Sequence, residues 1–134
     1  MFARHYPMSI GMMRFPTIIH RDTLNKFTQM LIESPELAAR LLWSYVDVED
    51  AAIACRLAIE QVFTKAEAFY ITAGDNLAQE SLSTLLETYY PGVELMKGFD
   101  LNDSLISHEK AHRMLGYHPR HSWGHHRIVP SETQ

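Results

Sequence analysis

Trp43-Ser-Tyr-Val-Asp-Val-Glu-Asp-Ala-Ala-Ile-Ala-Cys-Arg-Leu-Ala-Ile-Glu-Gln61 is the stretch on which the fold class turns. Tyr45, Val46 and Val48 make a short β-prone piece, because aromatic and β-branched side chains suit a pleated strand. The alanine-rich run that follows directly favours helix. Asp47 stands where an N-cap carboxylate accepts from a free amide of the first turn, with Asp50 three residues on as in an acidic capping box. Glu49 and Asp50 add negative charge to the positive end of the helix. Ala51, Cys55, Ala58 and Val62 recur at helical spacing and predict a small-residue stripe packed closely on a sheet. Glu49, Arg56 and Glu60 share the opposite face, where Arg56 can pair with Glu60 one turn later. A strand feeding straight into an amphipathic helix predicts an α/β protein.

Working outward, residues 8–15 read as a mostly apolar strand, with Ile10, Met12, Met13 and Phe15 around Gly11. A nearly continuous apolar run suits a strand covered on both faces, as in parallel sheets. Pro7 breaks the helical tail expected for residues 2–6, and residues 16–20 read as a loop. Asp22 or Thr23 is placed to cap a helix through Leu24, Phe27, Met30 and Leu31. Ser34-Pro35-Glu36 restarts a helix that ends near Leu42, with Ser as cap and Pro at the first helical position. Residues 63–68 read as a connector and 69–72 as a second strand, closed by the turn signal Ala73-Gly74-Asp75-Asn76. Residues 80–90 read as a helix with Leu82, Leu85, Leu86 and Tyr89 on one face and Pro91-Gly92 as its stop. Short strands are expected at 93–96 and 105–106. Ser107 caps a last helix running to Leu115, and Gly116 supplies its C-terminal turn. From His118 onward the chain is polar and expected to be loosely held.

A chain of 134 residues is one domain on size grounds and long enough to bury a core. The net charge of -4, with no clustered Lys and Arg, speaks against a nucleic-acid partner. No apolar run approaches the length of a bilayer span, and residues 1–7 lack the apolar core of a signal peptide. A cytoplasmic location without a membrane partner is therefore expected. The single cysteine, Cys55, excludes an internal disulfide; its place on the helix stripe predicts a buried thiol rather than a nucleophile.

Four segments together carry a family resemblance. Tyr45-Val-Asp-Val-Glu-Asp-Ala-Ala52 resembles the "yVdVrDvA" element of extended short-chain dehydrogenase/reductases, the NAD-dependent epimerase/dehydratase family. Met8-Ser-Ile-Gly-Met-Met-Arg-Phe-Pro16 resembles the family's strand that ends in "Arg-Phe-Pro-Asn". Phe69-Tyr-Ile-Thr-Ala-Gly74 resembles its "Phe-Asn-Ile" strand, and Ser107-His-Glu-Lys-Ala-His-Arg-Met-Leu-Gly-Tyr-His-Pro119 its closing "s..Ka.rlLGw.P" helix. The order is the family's, and the four cover most of the chain. The resemblance implies the carboxy-terminal part of a Rossmann-like fold, with a few short strands, about five helices and an incomplete sheet. Residues 1–119 would form this substrate-binding portion and 120–134 a polar tail. It also implies NAD or NADP chemistry on carbohydrates, oxidoreductase or isomerase in type, for a full-length relative.

What the residues lack bears on activity. No Gly-x-Gly-x-x-Gly or Gly-x-x-Gly-x-x-Gly is present to bring backbone amides onto a pyrophosphate. None of the six tyrosines is followed by lysine four residues later, so the family's proton-transfer pair is missing. No coenzyme is therefore expected to bind this chain alone. The partners expected are a small sugar or sugar-acid substrate and either a separate Rossmann half or a second copy.

By the same resemblance, the loop after the Arg-Phe strand passes the nicotinamide, which makes Pro16, Thr17 and Ile18 the candidate cofactor-binding residues. Thr17, Arg40, Trp43 and Asp75 are the candidate substrate-binding residues. Thr17 stands where the family often has Asn, and Trp43 where nucleotide-sugar enzymes place an Arg that clamps a phosphate bidentately. An indole cannot replace that guanidinium; it stacks on a sugar face or packs in the core, and core packing is the commoner fate. A simple sugar or sugar acid is thus expected in preference to a nucleotide sugar.

One motif competes. His108-Glu109-Lys110-Ala111-His112 matches His-Glu-x-x-His, in which two imidazoles on one helix face bind zinc and the Glu activates water. His118 falls where a longer version of the motif has its third ligand. Leu115, however, stands where that version needs glycine, and Ala111, Met114 and Leu115 form the helix's apolar face with the histidines at its margin. A zinc-dependent hydrolase using His108, Glu109, His112 and His118 is the second functional alternative, and a non-catalytic interaction module the third. His121, His125 and His126 fall in the polar tail, where histidines bind metal weakly without functional meaning.

Overall fold

The computed structural model describes residues 6–124 and is α/β. Its elements run β1 (Ile10–Arg14), β2 (Thr17–Ile19), a 3-10 turn (Arg21–Thr23), α1 (Leu24–Glu33), α2 (Pro35–Arg40), β3 (Tyr45–Asp47), α3 (Val48–Glu60), β4 (Ala66–Tyr70), α4 (Leu82–Tyr89) and α5 (Glu109–Leu115). The strands form two small parallel sheets. β1 pairs with β4, Ile10 opposite Ala66 and Arg14 opposite Tyr70. β2 pairs with β3, Thr17 opposite Tyr45 and Ile19 opposite Asp47. Both pairs are parallel because helices carry the chain back between their strands, as a parallel pairing requires. Past β4 the chain stitches the two pairs together: Ile71 N donates to Arg14 O at 3.0 Å, Ala73 N to Tyr45 O at 2.8 Å and Leu77 N to Trp43 O at 2.9 Å.

The strand-to-helix unit forms as its residues dictate. Asp47 is extended, and its Oδ1 accepts from Glu49 N at 2.8 Å, so it caps α3. Three details differ from expectation. Asp50 does not complete a capping box; it is fully buried and turned toward the far end of the chain. The packing stripe is Asp50, Ala51 and Ala54, with Leu57 and Ala58 half-buried behind them. Cys55 lies exposed beside it and Val62 is 92% exposed beyond the helix end. The stripe thus starts at i and i+3 rather than i and i+4, a choice periodicity leaves open in an alanine-rich helix. Arg56 and Glu60 pair at 3.6 Å on the exposed face, worth a few tenths of a kcal/mol at most, about what exposed i,i+4 pairs contribute.

Other boundaries shift for local reasons. The expected loop at 16–20 contains β2, because Thr17, Ile18 and Ile19 find β3 beside them. Residues 66–68 belong to β4 rather than to a connector. The apolar run of β1 is not covered on both faces: Met12 is 46% exposed, and Met13 and Ile10 are half-buried. Gly11 faces α3, where a Cβ would meet Phe63 Cζ at 3.4 Å and Ala58 Cβ at 3.7 Å. The strands expected at 93–96 and 105–106 do not form; 93–96 is irregular and 105–106 a bend, and beside the latter Asp103 makes an isolated antiparallel bridge with Asp75, with Ser104 N donating to Gly74 O. Leu42 and Trp43 adopt left-handed backbone, φ 52° and 50°, which reverses the chain after α2 and delivers the indole inward. Such residues cost on the order of 1 kcal/mol or more each, offset here by burial of Trp43.

The core has two parts. Leu24, Phe27, Leu31, Trp43, Tyr45, Leu77, Leu82 and Leu85 pack between α1, α2 and α4. Val46, Phe69, Ile71, Ala111, Leu115 and Tyr117 pack between α3, β4 and α5. Ser107 Oγ accepts from Glu109 N at 3.2 Å at the start of α5. At its end Gly116 has φ 73°, with Gly116 N donating to His112 O, the 5→1 bond of an αL closure, and Tyr117 N to Ala111 O. No helix among the described residues is long and apolar enough to cross a membrane.

Candidate functional site

In parallel α/β sheets, ligand sites form beyond the carboxyl ends of the strands, where loops diverge. Here β3 ends in Asp47, and β4 leads through Ile71–Ala73 into the turn at Asp75 and Asn76. Tyr45 is fully buried, and its hydroxyl donates to Asp75 Oδ1 at 2.5 Å. Burial, with the adjoining Asp75 carboxylate, pushes this phenol far above its usual range. Tyr45 therefore acts as a fixed hydrogen-bond donor, not as an exchangeable acid. Asn76 holds the neighbouring loop: Nδ2 donates to Leu101 O at 3.0 Å and Asp103 O at 2.8 Å, while Oδ1 accepts from Ala78 N at 3.1 Å.

The segment after Pro119 closes over this turn. Asp50 Oδ2 accepts from both Arg120 N and His121 N at 3.0 Å. Trp123 N donates to Tyr45 Oη at 2.6 Å, and its indole Nε1 to Asp47 Oδ2 at 3.2 Å. Ser122 Oγ and Gly124 N donate to Asp75 Oδ2 at 2.5 and 2.7 Å. The expectation of a loose tail is thus corrected for residues 120–124, while residues 125–134, including His125 and His126, lie outside the described part. The reason is that Asp50 and Asp75 receive backbone amides of this polar segment, while Asp47 receives the Trp123 indole N–H and the Tyr45 hydroxyl the Trp123 amide; hydropathy does not register such bonds. Burial pulls the His121 imidazole down, but Asp50, Asp47 and Glu49 together outweigh it and hold it above its usual range.

Beside the knot lies a cleft of about 540 Å³, lined by Asp75, Asn76, Gln79, Glu80, Ser81 and Asn102, with Ser122 and Gly124 on its tail side. Its wall offers carboxylate, amide and hydroxyl groups, and no Lys or Arg among the described residues lines it. Asp75 already accepts three hydrogen bonds, which leaves one of the roughly four acceptor positions of a carboxylate.

Of the sequence-derived candidates, Asp75 alone lines this cleft. Thr17 and Ile18 sit in β2, paired with Tyr45 and Val46, and Pro16 is half-buried before them. Arg40 is exposed at the end of α2, beside a surface hollow with Glu33 and Glu36. Trp43 is 3% exposed and packs against Tyr89 with ring centroids 6.3 Å apart, so it takes the core role. The zinc motif is spread out: His108 packs edge-on against Tyr117 at 5.7 Å and His112 against His118 at 4.2 Å. Burial lowers the His108 pKa, and its Nδ1 is buried without a hydrogen-bond partner. Among the described residues, the group of three metal-type donors that comes together is Asp47, Glu49 and His121, not the helix histidines.

Sequence reasoning missed Tyr45, Asn76, Asp50, His121, Ser122 and Trp123 as site-forming residues. The one available signal was Trp123, a large amphipathic side chain in an otherwise polar stretch, which needs somewhere to dock. Comparison of the chain with protein-family models, curated proteins and solved structures finds no match.

Proposed function

We propose that this chain is the substrate-side, carboxy-terminal portion of an NAD(P)-dependent epimerase/dehydratase-like enzyme, binding a sugar in the Asp75 cleft and inactive in hydride transfer by itself. The observation that carries this reading is the composition of the cleft wall. Alternating carboxylate, amide and hydroxyl groups match the paired donors and acceptors of a polyol, and among the described residues the wall has no cation for a diphosphate. With Asp75 and Glu80 both on it, the wall suits a neutral sugar better than a sugar acid. Two parallel strand pairs, each only two strands wide, also fit a fragment of a larger sheet, since parallel sheets are ordinarily broader and covered on both faces. β1 has β4 on one edge and no described strand on the other. A Rossmann half would pair there and supply the coenzyme site, with Pro16, Thr17 and Ile18 on the nearby β1–β2 corner, whereas a second copy would cover the edge alone. A cytoplasmic location goes with this reading.

The test is titration of the isolated chain, followed by amide chemical shifts, with neutral monosaccharides, sugar acids, UDP-sugars and NAD. A monosaccharide of about twelve heavy atoms at about -0.3 kcal/mol per atom gives about -4 kcal/mol, a Kd near 1 mM. Shifts confined to residues 75–81 and 101–102 with a neutral sugar are expected. Micromolar NAD binding, or tight UDP-sugar binding, by the chain alone refutes the proposal.

A further inference from the structure

We propose that His121 is a pH-operated clasp: doubly protonated, it pins the strap of residues 120–124 to the start of α3, and its deprotonation frees that strap together with the tail-side wall of the Asp75 cleft. The two ring nitrogens face carboxylates on opposite sides. Nδ1 lies 3.2 Å from Asp50 Oδ1 and 3.6 Å from Asp47 Oδ1, while Nε2 lies 3.3 Å from Glu49 Oε2. A neutral imidazole has one N–H and one lone pair, so either tautomer would set that lone pair against a carboxylate. The imidazolium donates to both sides. The arrangement is one cation shared by three anions, the ring itself being the cation.

What that proton neutralises is buried. Asp50 is completely buried: Oδ2 accepts from Arg120 N and His121 N, and Oδ1 has the His121 ring as its ion-pair partner. Asp47 is buried as well and also takes the Trp123 indole N–H. The charged groups facing His121 are these two and Glu49, from the end of β3 and the start of α3; the Trp123 indole stacks on the ring at 6.2 Å. Among the described residues no other cation pairs with the three carboxylates. A buried carboxylate left without its counter-ion is strongly unfavourable. Once the ring is neutral, lifting the strap lets water reach Asp50 and Asp47, the carboxylates that seat it.

The sign follows from the same contacts. Burial draws the His121 pKa down, but Asp50, Asp47 and Glu49 outweigh it and hold it above the ordinary 6.5. A raised folded pKa gives a contribution fully present below the unfolded value and lost as pH rises through the folded one. The clasp is thus shut in mildly acidic solution and loosens on the alkaline side. The far end of the strap is fastened by close approach instead. Ser122 Oγ and Gly124 N both donate to Asp75 Oδ2, and a Cβ at position 124 would collide with that oxygen and come within 2.9 Å of Asn76 O. When the strap lifts, Ser122 and Gly124 leave the cleft wall and Asp75 Oδ2 loses both donors. None of this depends on what the cleft binds, so the clasp and the sugar reading are tested apart.

The experiment is NMR on the ligand-free chain: the imidazole titration of His121, and exchange protection of the Arg120, His121, Trp123 and Gly124 amides, corrected for intrinsic rates, from mildly acidic to mildly alkaline pH. Protection at these four amides should fall severalfold as pH passes the His121 midpoint, while the amides of β4 hold theirs. In His121→Gln the four should show no such step. Glu49→Gln should bring the midpoint down toward 6.5 and carry the amide step with it; Glu49 is exposed, so this variant reads the clasp even if His121→Gln loosens the strap at every pH. Coupling is reciprocal, so Gly124→Ala, which dislodges the far end, should lower the His121 midpoint as well. A wild-type midpoint at or below 6.5 overturns the proposal. So does strap protection that stays level across the midpoint, or a midpoint that Gly124→Ala leaves unmoved.

Discussion

Replacing Tyr45 by Phe removes one oxygen from the centre of the knot and nothing else. The ring stays in the core, but two bonds go: the donation to Asp75 at 2.5 Å and the acceptance from Trp123 N at 2.6 Å. A hydrogen bond to a charged acceptor contributes about 1.5–3 kcal/mol, and a donor left unpaired away from water adds about 1 kcal/mol more. The expected loss is about 3 kcal/mol, or roughly 10 °C in Tm for a chain of this size. Guanidinium melts of the two proteins should show a lower midpoint at unchanged slope. Hydrogen exchange should show the amides of Arg120, His121 and Trp123 losing protection before the rest. Ser122→Ala, which removes an exposed partner of the same carboxylate, should cost well under half as much. If Tyr45→Phe changes stability by less than about 0.5 kcal/mol and leaves those amides protected, the segment is not held through this hydroxyl and the reasoning fails.

Asn76→Ala strands Leu101 O, Asp103 O and Ala78 N together and should cost about 2–4 kcal/mol; a midpoint shift worth less than 1 kcal/mol would contradict the loop-holding role. Lys110 donates to Glu67 at 2.7 Å and holds that carboxyl below its ordinary value. A depressed carboxylate stabilises above its unfolded pKa and loses that contribution as pH falls through the folded one. The Glu67 resonance should therefore titrate below 4.5 and return to it in Lys110→Met; an unmoved midpoint rejects the pairing. The pKa of His108 is lowered too, in its case by burial, so its neutral form is favoured in the fold and stability is lost as pH drops below 6.5. His108→Phe keeps the edge contact with Tyr117 and should gain on the wild type progressively from pH 7 to pH 5, whereas a pH-independent difference would exclude burial as the cause.

The parts of this fold that could be read in advance are those decided within a few residues. The Asp47 cap, the helix restart at Pro35 and the Gly116 turn each depend on one residue and its own neighbouring backbone; all three form, though the Ser34 side chain makes no capping bond. The α/β class followed from the same local logic. What escaped were choices made by distant groups. Whether Asp50 caps its own helix or receives Arg120 N, 70 positions away, is settled by where the chain returns. Cys55 and Ala54 are equally suited to a close-packed stripe, and tertiary packing selects Ala54. For the cleft, Asp75 was identified as a turn residue near substrate, but its wall is completed by the 99–104 loop and by Ser122 and Gly124, which are polar and without periodicity. Trp43, a candidate for the sugar face or for the core, is buried in the core, while Arg40 is exposed beside a different hollow.

The bonds from Arg120 to Gly124 back to residues 45–50 and 75 also bear on when this protein can finish folding. Closing a loop of 70 residues costs about 4 kcal/mol of chain entropy, more than any one of these bonds returns, so they succeed only as a group. During synthesis the β3–α3 unit must wait, with three unneutralised carboxylates, until the far end has left the ribosome. A stall or nick just ahead of Arg120 would strand the earlier part half-assembled, with the phenol of Tyr45 and the indole pocket open to proteases and to other nascent chains.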